Sequence, residues 1–335
     1  MEILKKVYRY LSSMKTGLVL LVLVGSAAAV GSAFLPDVFF NTWLFKLLLI
    51  ILSVNMVLCT ANRFILLKSR LKKNRNKWFR EIGNLLLHAG IVFILAGLLV
   101  YAFYGQNGQI AIRTGDTVDV SQIIALKEPF SLRLDDFKVE YNEDGSPSQY
   151  NSYVTVLESG ITKDDAVISV NHPLNYRGVK FYQQSYGYLI KTKYTNDTGS
   201  EVEELIKEGN FIKPEGTERT VKVFRYIPNF DPNHGMVTKT MRPDNPRIIF
   251  SVYEDKQLIG VGAAQFDERV EIDENVYVVF PAVEPYTILK VKSDPGLPLA
   301  FWGGGMFMIG VTMALLAAPS QGKKTESIDS NREMR

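Results

Sequence analysis

The chain contains three histidines and a single cysteine, and these side chains are the first candidates for metal chemistry. His88 stands apart because it lies in the apolar run NLLLHAGIVFILAGLLV, residues 84–100. A polar ring is costly inside a lipid bilayer and is usually kept there for a function. A neutral imidazole is a common metal ligand, so one interpretation is an intramembrane ligand. The other is a histidine that only hydrogen-bonds between helices.

The remaining candidates are weaker. Asn84 lies four residues before His88 on the same helix face and could orient its ring. Cys59 could bind iron as a thiolate, although apolar surroundings disfavour the ionised thiol. His172 precedes a proline in VNHPLNYRG and more simply shapes a turn, and His234 lies in a Pro/Asn/Gly loop.

Four apolar segments are each close to the ~20 residues that a helix needs to cross a bilayer. They are residues 16–35, 42–60, 84–104 and 298–318. The second follows the first so closely that a retained helix is favoured over a cleaved signal peptide. The predicted fold class is an integral membrane protein in a lipid bilayer, with four transmembrane α-helices (3 + 1) and a large β-rich extracytoplasmic domain between helices three and four.

Basic residues predict the orientation, because Lys and Arg concentrate on the cytoplasmic side. Residues 63–80 hold eight Lys/Arg and no acid. In a soluble protein this stretch could bind nucleic acid, but between two spans it indicates topology, and no nucleic-acid partner is predicted. The predicted regions are a cytoplasmic N-terminus 1–15, a three-helix transmembrane region 16–104 with a basic cytoplasmic loop 61–83, an extracytoplasmic domain 105–296, a fourth transmembrane helix 297–318 and a cytoplasmic tail 319–335.

The segment 105–296 alternates apolar and polar residues in many short runs, which predicts a sandwich or open barrel. The alternation slips at Asp135–Asp136, which predicts a bulge, and residues 254–256 should turn a hairpin. The stretch SEVEELIKEG near 200–209 is predicted to be a helix. YRGVKFYQQSYGY is interpreted as a strand with aromatic packing, with a docking surface as the alternative. The domain has no cysteine and no Ser/His/Asp or metal-spaced cluster, which disfavours an independent hydrolase.

Small residues predict how the spans pack. Gly83, Gly90 and Gly97 recur at a spacing of seven, and we expect this stripe to contact the chain's own helices. His88 lies about 200° around the helix from Gly90, so we expect it to face something other than those helices. In the second span Asn55, Cys59 and Arg63 share one face. Asn55 is expected to make an interhelical hydrogen bond, and Arg63 is interpreted as a topology anchor.

Several strings together resemble one family. They are LSSMKTGLVLLVLVGSAAAVGSAFLPD at 11–37, LSVNMVLCTANRF at 52–64, NHPLNYRGVKFYQQSYG at 171–187 and SDPGLPLAFWGGGMFMIG at 293–310. With the 3 + 1 arrangement, they resemble the ResB/CcsB proteins of cytochrome c biogenesis (system II). The resemblance implies a complex with a CcsA/ResC-type WWD-domain partner, which moves haem across the membrane and attaches it to the CxxCH cysteines of apocytochrome c.

The resemblance also implies that haem b is bound non-covalently and transiently. A histidine in the third span is the family's haem ligand, His88 is the match, and the second axial ligand would come from the partner. The chain has no tryptophan cluster of the WWD kind and no CxxCH motif. It would be at most part of a holocytochrome c synthetase (haem lyase). The alternatives are an assembly subunit that stabilises a polytopic partner without binding haem, and, less favoured, a membrane-anchored receptor.

Overall fold

The computed structural model describes residues 2–35, 39–73, 78–195, 201–214 and 216–317. The chain divides into two compact units. One is formed by Met1–Gly105 with Asp294–Arg335, and the other by Gln106–Ser293. The second unit lies within the predicted domain 105–296. The predicted tail 319–335 lies outside the described residues.

The first unit is helical. Its helices are α1 Glu2–Leu11, α2 Met14–Phe34, α3 Trp43–Lys73, α4 Trp78–Tyr104 and α5 Leu297–Leu316, with a 3₁₀ turn at Phe39–Asn41. In the described part of the chain, four helices are long and apolar enough to cross a membrane: α2, α3 over Trp43–Leu67, α4 and α5. These match the four predicted spans, whereas the short helix α1 was not predicted.

Most of the predicted basic loop 61–83 is helical. Helix α3 continues to Lys73, and α4 already begins at Trp78. Residues 61–73 contain no glycine or proline, and Leu, Lys and Arg are good helix formers. Clustered positive charge indicates the side of the membrane but does not interrupt a helix.

The glycine stripe of α4 packs against α5, as predicted. A Cβ atom added at Gly90 would lie 2.5 Å from the backbone nitrogen of Phe307 and 2.7 Å from the carbonyl oxygen of Gly303. The two antiparallel helix backbones are therefore in direct contact here, because glycine has only a hydrogen atom in place of a side chain. The facing glycine pairs are Gly83 with Gly310, Gly90 with Gly303 and Gly97 with Gly296.

The second unit is built of antiparallel strands. They are β1 Gln106–Arg113, β2 Thr117–Asp119, β3 Ser131–Tyr141, β4 Pro147–Glu158, β5 Ile161–Ser169, β6 Leu174–Tyr176, β7 Val179–Thr195, β8 Glu201–Lys207, β9 Phe211–Ile212, β10 Thr220–Ile227, β11 Arg247–Glu254, β12 Gln257–Ala264, β13 Arg269–Asp273 and β14 Val276–Ser293. Short 3₁₀ turns occupy Val120–Gln122 and Pro232–His234. The described strands form three sheets.

The long strands β7 and β14 pair along most of their length and connect two hydrophobic cores. They belong to a six-stranded sheet of order β1-β14-β7-β6, with β13 on β14 and β8 on β7. The sheet β2-β3-β4-β5 shares one core with this long sheet, in which Leu132 and Phe181 are fully buried. The sheet β12-β11-β10-β9 shares the other, with Ile248 and Phe280. The architecture is thus a pair of sandwiches with a common long sheet.

Of the local predictions for this unit, the bulge and the hairpin are confirmed and the helix is wrong. The register of β3 against β4 shifts between Leu134 and Asp136, which confirms the bulge, and β11 and β12 form the expected hairpin. The helix predicted near 200–209 is wrong, because residues 201–207 form strand β8. There the Glu203 carboxylate lies 2.5 Å from Lys191 Nζ on β7. Alternate apolar residues such as Ile206 enter the second core.

A cluster of tyrosines lies where the two cores meet. The Tyr186 ring centroid is 5.1 Å from that of Tyr150 and 5.6 Å from that of Tyr188, which in turn lies 4.7 Å from Tyr226. Tyr186 packs on the first core and Tyr188 on the second. Strand packing is thus confirmed for these two tyrosines. Burial, together with the neighbouring Tyr150 and Tyr141, raises the pKa of Tyr186 to about 12.

We predict that Tyr186→Phe makes the second unit less sensitive to alkaline pH. The pKa of Tyr186 in the folded chain exceeds the ordinary value of about 10. Above pH ~10 the unfolded chain therefore ionises this tyrosine more readily than the folded chain does, which lowers the free energy of unfolding. Stability should be complete below pH ~10 and fall as pH rises towards 12. Denaturant unfolding of the full chain across this range would show a smaller loss in the variant than in the wild type. Tyr182→Phe, on the same strand but outside the cluster, is the matched control, and equal losses in all three proteins would contradict the prediction.

Candidate functional site

His88 is partly buried on α4, and its own helix fixes its ring. The ring nitrogen Nδ1 lies 2.8 Å from the backbone carbonyl oxygen of Asn84, one helical turn earlier. A carbonyl oxygen only accepts, so Nδ1 carries the hydrogen and Nε2 has the free electron pair. Metal-binding histidines commonly donate one ring N–H to a carbonyl in this way. The backbone carbonyl of Asn84 therefore orients the ring, and the expected role of the Asn84 side chain stays a prediction.

Arg63 of α3 lies against the His88 ring. Its Nη1 atom is 3.3 Å from Nδ1 and 3.2 Å from Nε2. A nitrogen equally distant from both would collide with the intervening ring carbon if it lay in the ring plane, so it lies over the ring face. The in-plane direction of the Nε2 electron pair, which a metal ion would need, is left open by this contact.

A cavity of about 420 Å³ opens beside His88 between α2, α3 and α4. Its volume falls within the roughly 300–1,000 Å³ typical of small-molecule sites. The wall is almost wholly apolar. The lining residues are Met14, Lys15, Gly17, Leu18, Leu21, Leu52, Asn55, Met56, Cys59, His88, Ile91 and Leu95.

Two polar groups of the wall hold α2 and α3 together. Asn55 is fully buried, and its Nδ2 donates to the carbonyl oxygens of Leu11 at 2.5 Å and Ser13 at 3.2 Å. The Cys59 thiol donates to the Ser12 carbonyl oxygen at 3.2 Å. The expected interhelical hydrogen bond of Asn55 is thus confirmed, and both side chains donate to carbonyl oxygens at the junction of α1 and α2, whereas Asn55 Oδ1 is buried without a hydrogen-bond partner among the residues that the structure describes.

The expectation that His88 faces away from the chain's own helices is wrong. Helix α4 is covered on its glycine side by α5, and its opposite side, with His88, faces α3 and the cavity. Small residues do locate one close helix contact, but a helix with two neighbours has a second face that they do not mark. Sequence reasoning therefore missed Arg63, which it interpreted only as a topology anchor.

Of the other candidate ligand residues, one lies at the cavity and two lie in the second unit. Cys59 lines the same cavity as His88. His172 and His234 belong to the second unit, where both are exposed. His172 Nδ1 lies 3.2 Å from the Val170 carbonyl oxygen in a turn, and His234 Nδ1 lies 3.4 Å from Asp231 Oδ2. Among the described residues, no three or more His, Cys, Asp or Glu side chains form a metal-binding group.

These contacts define the chemistry that the cavity can perform. It offers one neutral imidazole nitrogen, an apolar wall and one cationic residue, Lys15. A single such nitrogen is too few ligands to hold a bare metal ion by itself.

The sequence model of the ResB-like family matches residues 75–321, which is more than half of the chain. The match includes α4 with His88, the strands of the second unit and α5. It does not include the residues that α2 and α3 contribute to the cavity, such as Lys15 and Asn55.

Three relatives illustrate the similarity to known proteins. The cytochrome c biogenesis protein CcsB of Gloeobacter violaceus is 27% identical over 71% of this chain and 51% of its own length. CcsB of Picosynechococcus is 23% identical over 84% of this chain and 70% of its own, and Ccs1 of Porphyra purpurea is 23% identical over 66% and 49%. The chain spans about half the length of the first and third of these relatives.

Among solved structures, the cytochrome c haem lyase CcmF aligns with 90% of this chain and 35% of its own, at 9% identity. Its TM-score of 0.33 lies below the level that indicates a shared fold.

Proposed function

The chain belongs to the ResB-like family, and on that premise we propose that it is a subunit of a system II cytochrome c biogenesis complex. In this proposal it carries haem across the membrane and supports haem attachment to the CxxCH motifs of apocytochrome c. The names of its CcsB and Ccs1 relatives support a role in cytochrome c biogenesis.

The observation that carries the haem part of the proposal is the His88 ring beside the apolar cavity. Its Nδ1 is committed to the Asn84 carbonyl, which leaves Nε2 as the ligand atom for haem iron. The apolar wall suits the faces of a porphyrin, and haem b is held there non-covalently and transiently, as cargo. The chain offers one histidine at this cavity, so the second axial ligand comes from the partner.

The proposed orientation follows from the basic residues. Both termini lie in the cytoplasm and residues 105–296 outside the cell membrane, so α4 begins near the cytoplasmic surface. His88 is ten residues after Trp78, about 15 Å along the helix, and can receive haem from the cytoplasmic side. The partner is a CcsA/ResC-type membrane protein with a WWD domain.

The covalent step joins haem to its client. Each CxxCH thiol adds across a haem vinyl group, forming one carbon–sulfur bond while the thiol hydrogen goes to the other vinyl carbon. No electrons are gained or lost overall. In this step the chain holds the iron and positions haem, while the partner completes the active site. The enzyme is thus the complex, a holocytochrome c synthetase, of which this chain is one part.

The rival function is an assembly subunit that stabilises the polytopic partner and never contacts haem. The second unit, with its two hydrophobic cores, could serve as such a scaffold. The two functions differ in what they require of His88, which the scaffold does not need.

We predict that His88→Gln lowers holocytochrome c formation at least about tenfold in cells that depend on this chain, because the amide cannot replace the imidazole as an iron ligand. The assay is haem staining of a c-type cytochrome reporter, with partner abundance measured alongside. His234→Gln is the matched control and should leave maturation unchanged. Normal maturation in His88→Gln would reject haem handling at this site and favour the scaffold.

A further inference from the structure

We propose that Lys15 is the carboxylate-binding residue of the cavity beside His88, and that it recognises the propionate groups of the porphyrin. This inference rests on the proposed function, in which the cavity receives haem. It adds a second point of recognition, which determines the direction in which the macrocycle lies.

The argument begins with the polar groups of the cavity wall. The amide of Asn55 donates to the carbonyls of Leu11 and Ser13, and the thiol of Cys59 donates to that of Ser12. The remaining lining residues other than His88 and Lys15 are glycine, leucine, isoleucine and methionine. Lys15 is therefore the cationic residue of this lining. Its side chain is exposed, so its ammonium group is available to pair with an anionic group at the mouth of the cavity.

Lys15 also lies at the end of the cavity where α2 begins. It is the second residue of α2, directly after Met14 and the N-cap Ser13. The partial positive charge of a helix N-terminus adds to its attraction for carboxylates. Farther along α2 the wall is formed by Gly17, Leu18 and Leu21, where an ionised carboxylate would be costly to place.

Two fixed points give selectivity that an apolar wall lacks. A phospholipid could also fill this groove with an acyl chain and offer its phosphate to Lys15, but it carries no iron atom for His88. Haem carries both iron and carboxylates, on one rigid plane. A ligand bound by iron at one point and by carboxylates at another has one orientation in the cavity.

The test compares haem with haem dimethyl ester, in which both carboxylates are blocked. Each is titrated into the full chain in nanodiscs, using wild type, Lys15→Gln, Lys15→Arg and His88→Ala. Lys6→Gln is the matched control, because Lys6 is a basic residue of α1 that does not line the cavity. For haem we expect Lys15→Gln to weaken binding about three- to tenfold, the range for one partly exposed charge pair. Lys15→Arg and Lys6→Gln should bind like wild type.

For the dimethyl ester, wild type and Lys15→Gln should bind equally, because the group that Lys15 recognises is missing. Equal weakening of both ligands in Lys15→Gln, or no weakening of haem, would overturn the carboxylate assignment. His88→Ala should lose affinity for both ligands, since each contains iron. If wild type binds neither ligand, the proposed function itself fails, and this inference fails with it.

Discussion

Replacing His88 by alanine should lower the amount of haem that co-purifies with the full chain at least about tenfold. The imidazole supplies the one ligand atom that this chain offers at the cavity, and even loss of a residue that only orients a metal ligand typically costs 10–100-fold in affinity. Asn84 and Arg63 act through that ring, by hydrogen bonding and by stacking, and cannot coordinate iron in its place.

The measurement is the haem-to-protein ratio together with the absorption spectrum. His172→Ala, an exposed histidine of the second unit, is the matched control and should retain the wild-type ratio. The yield of His88→Ala should match that of wild type, which separates loss of haem from loss of protein. An unchanged haem ratio in His88→Ala would remove the assignment of this residue as a ligand.

Replacing Gly90 by valine should separate α4 from α5 and strongly destabilise the helical unit. The first added carbon would lie 2.5 Å from the backbone nitrogen of Phe307 and 2.7 Å from the Gly303 carbonyl oxygen. Neither is a flexible side chain that can rotate away, so the two helices must move apart. Overpacking typically costs about 1–3 kcal/mol, and the displaced backbone contacts of the neighbouring glycine pairs add to that cost.

The matched control is Gly304→Val, one residue from the contact on α5. A Cβ atom at Gly304 meets nothing within 4 Å, so this substitution adds the same side chain without a clash. Thermal unfolding in detergent, and accumulation of the protein in membranes, would show a marked loss for Gly90→Val and little change for Gly304→Val. Equal effects would mean that the close approach of α4 and α5 does not limit stability.

The sequence predicted the fold best where one physical signal dominates. Apolar length identified the four candidate spans, and a slip in alternation identified the bulge in β3. It failed at β8, where the abundance of glutamate favoured a helix. Residues 201–207 instead pair with residues 189–195 of strand β7, and Glu203 contacts Lys191 and Lys193 on that strand. Local preference cannot detect such partners.

The site was predicted only in part, for a similar reason. His88 stands out by itself, because a polar ring in an apolar run needs an explanation. Its environment depends on which helix lies beside α4, and the stripe Gly83–Gly90–Gly97 pointed only to one neighbour. A matching series of glycines at 296, 303 and 310, also spaced by seven, could have identified α5 as that neighbour. Nothing comparable marks the contact of Arg63 with His88, which depends on how α3 and α4 pack.

Coordination of haem iron by His88 is the central claim, and chemical rescue tests it most directly. The full chain with His88→Gly should give a weak and altered haem spectrum, and added imidazole should restore the low-spin spectrum of wild type by occupying the vacated position. The same imidazole should not change the wild-type spectrum. If His88→Gly retains haem with an unaltered spectrum before any imidazole is added, His88 is not the ligand.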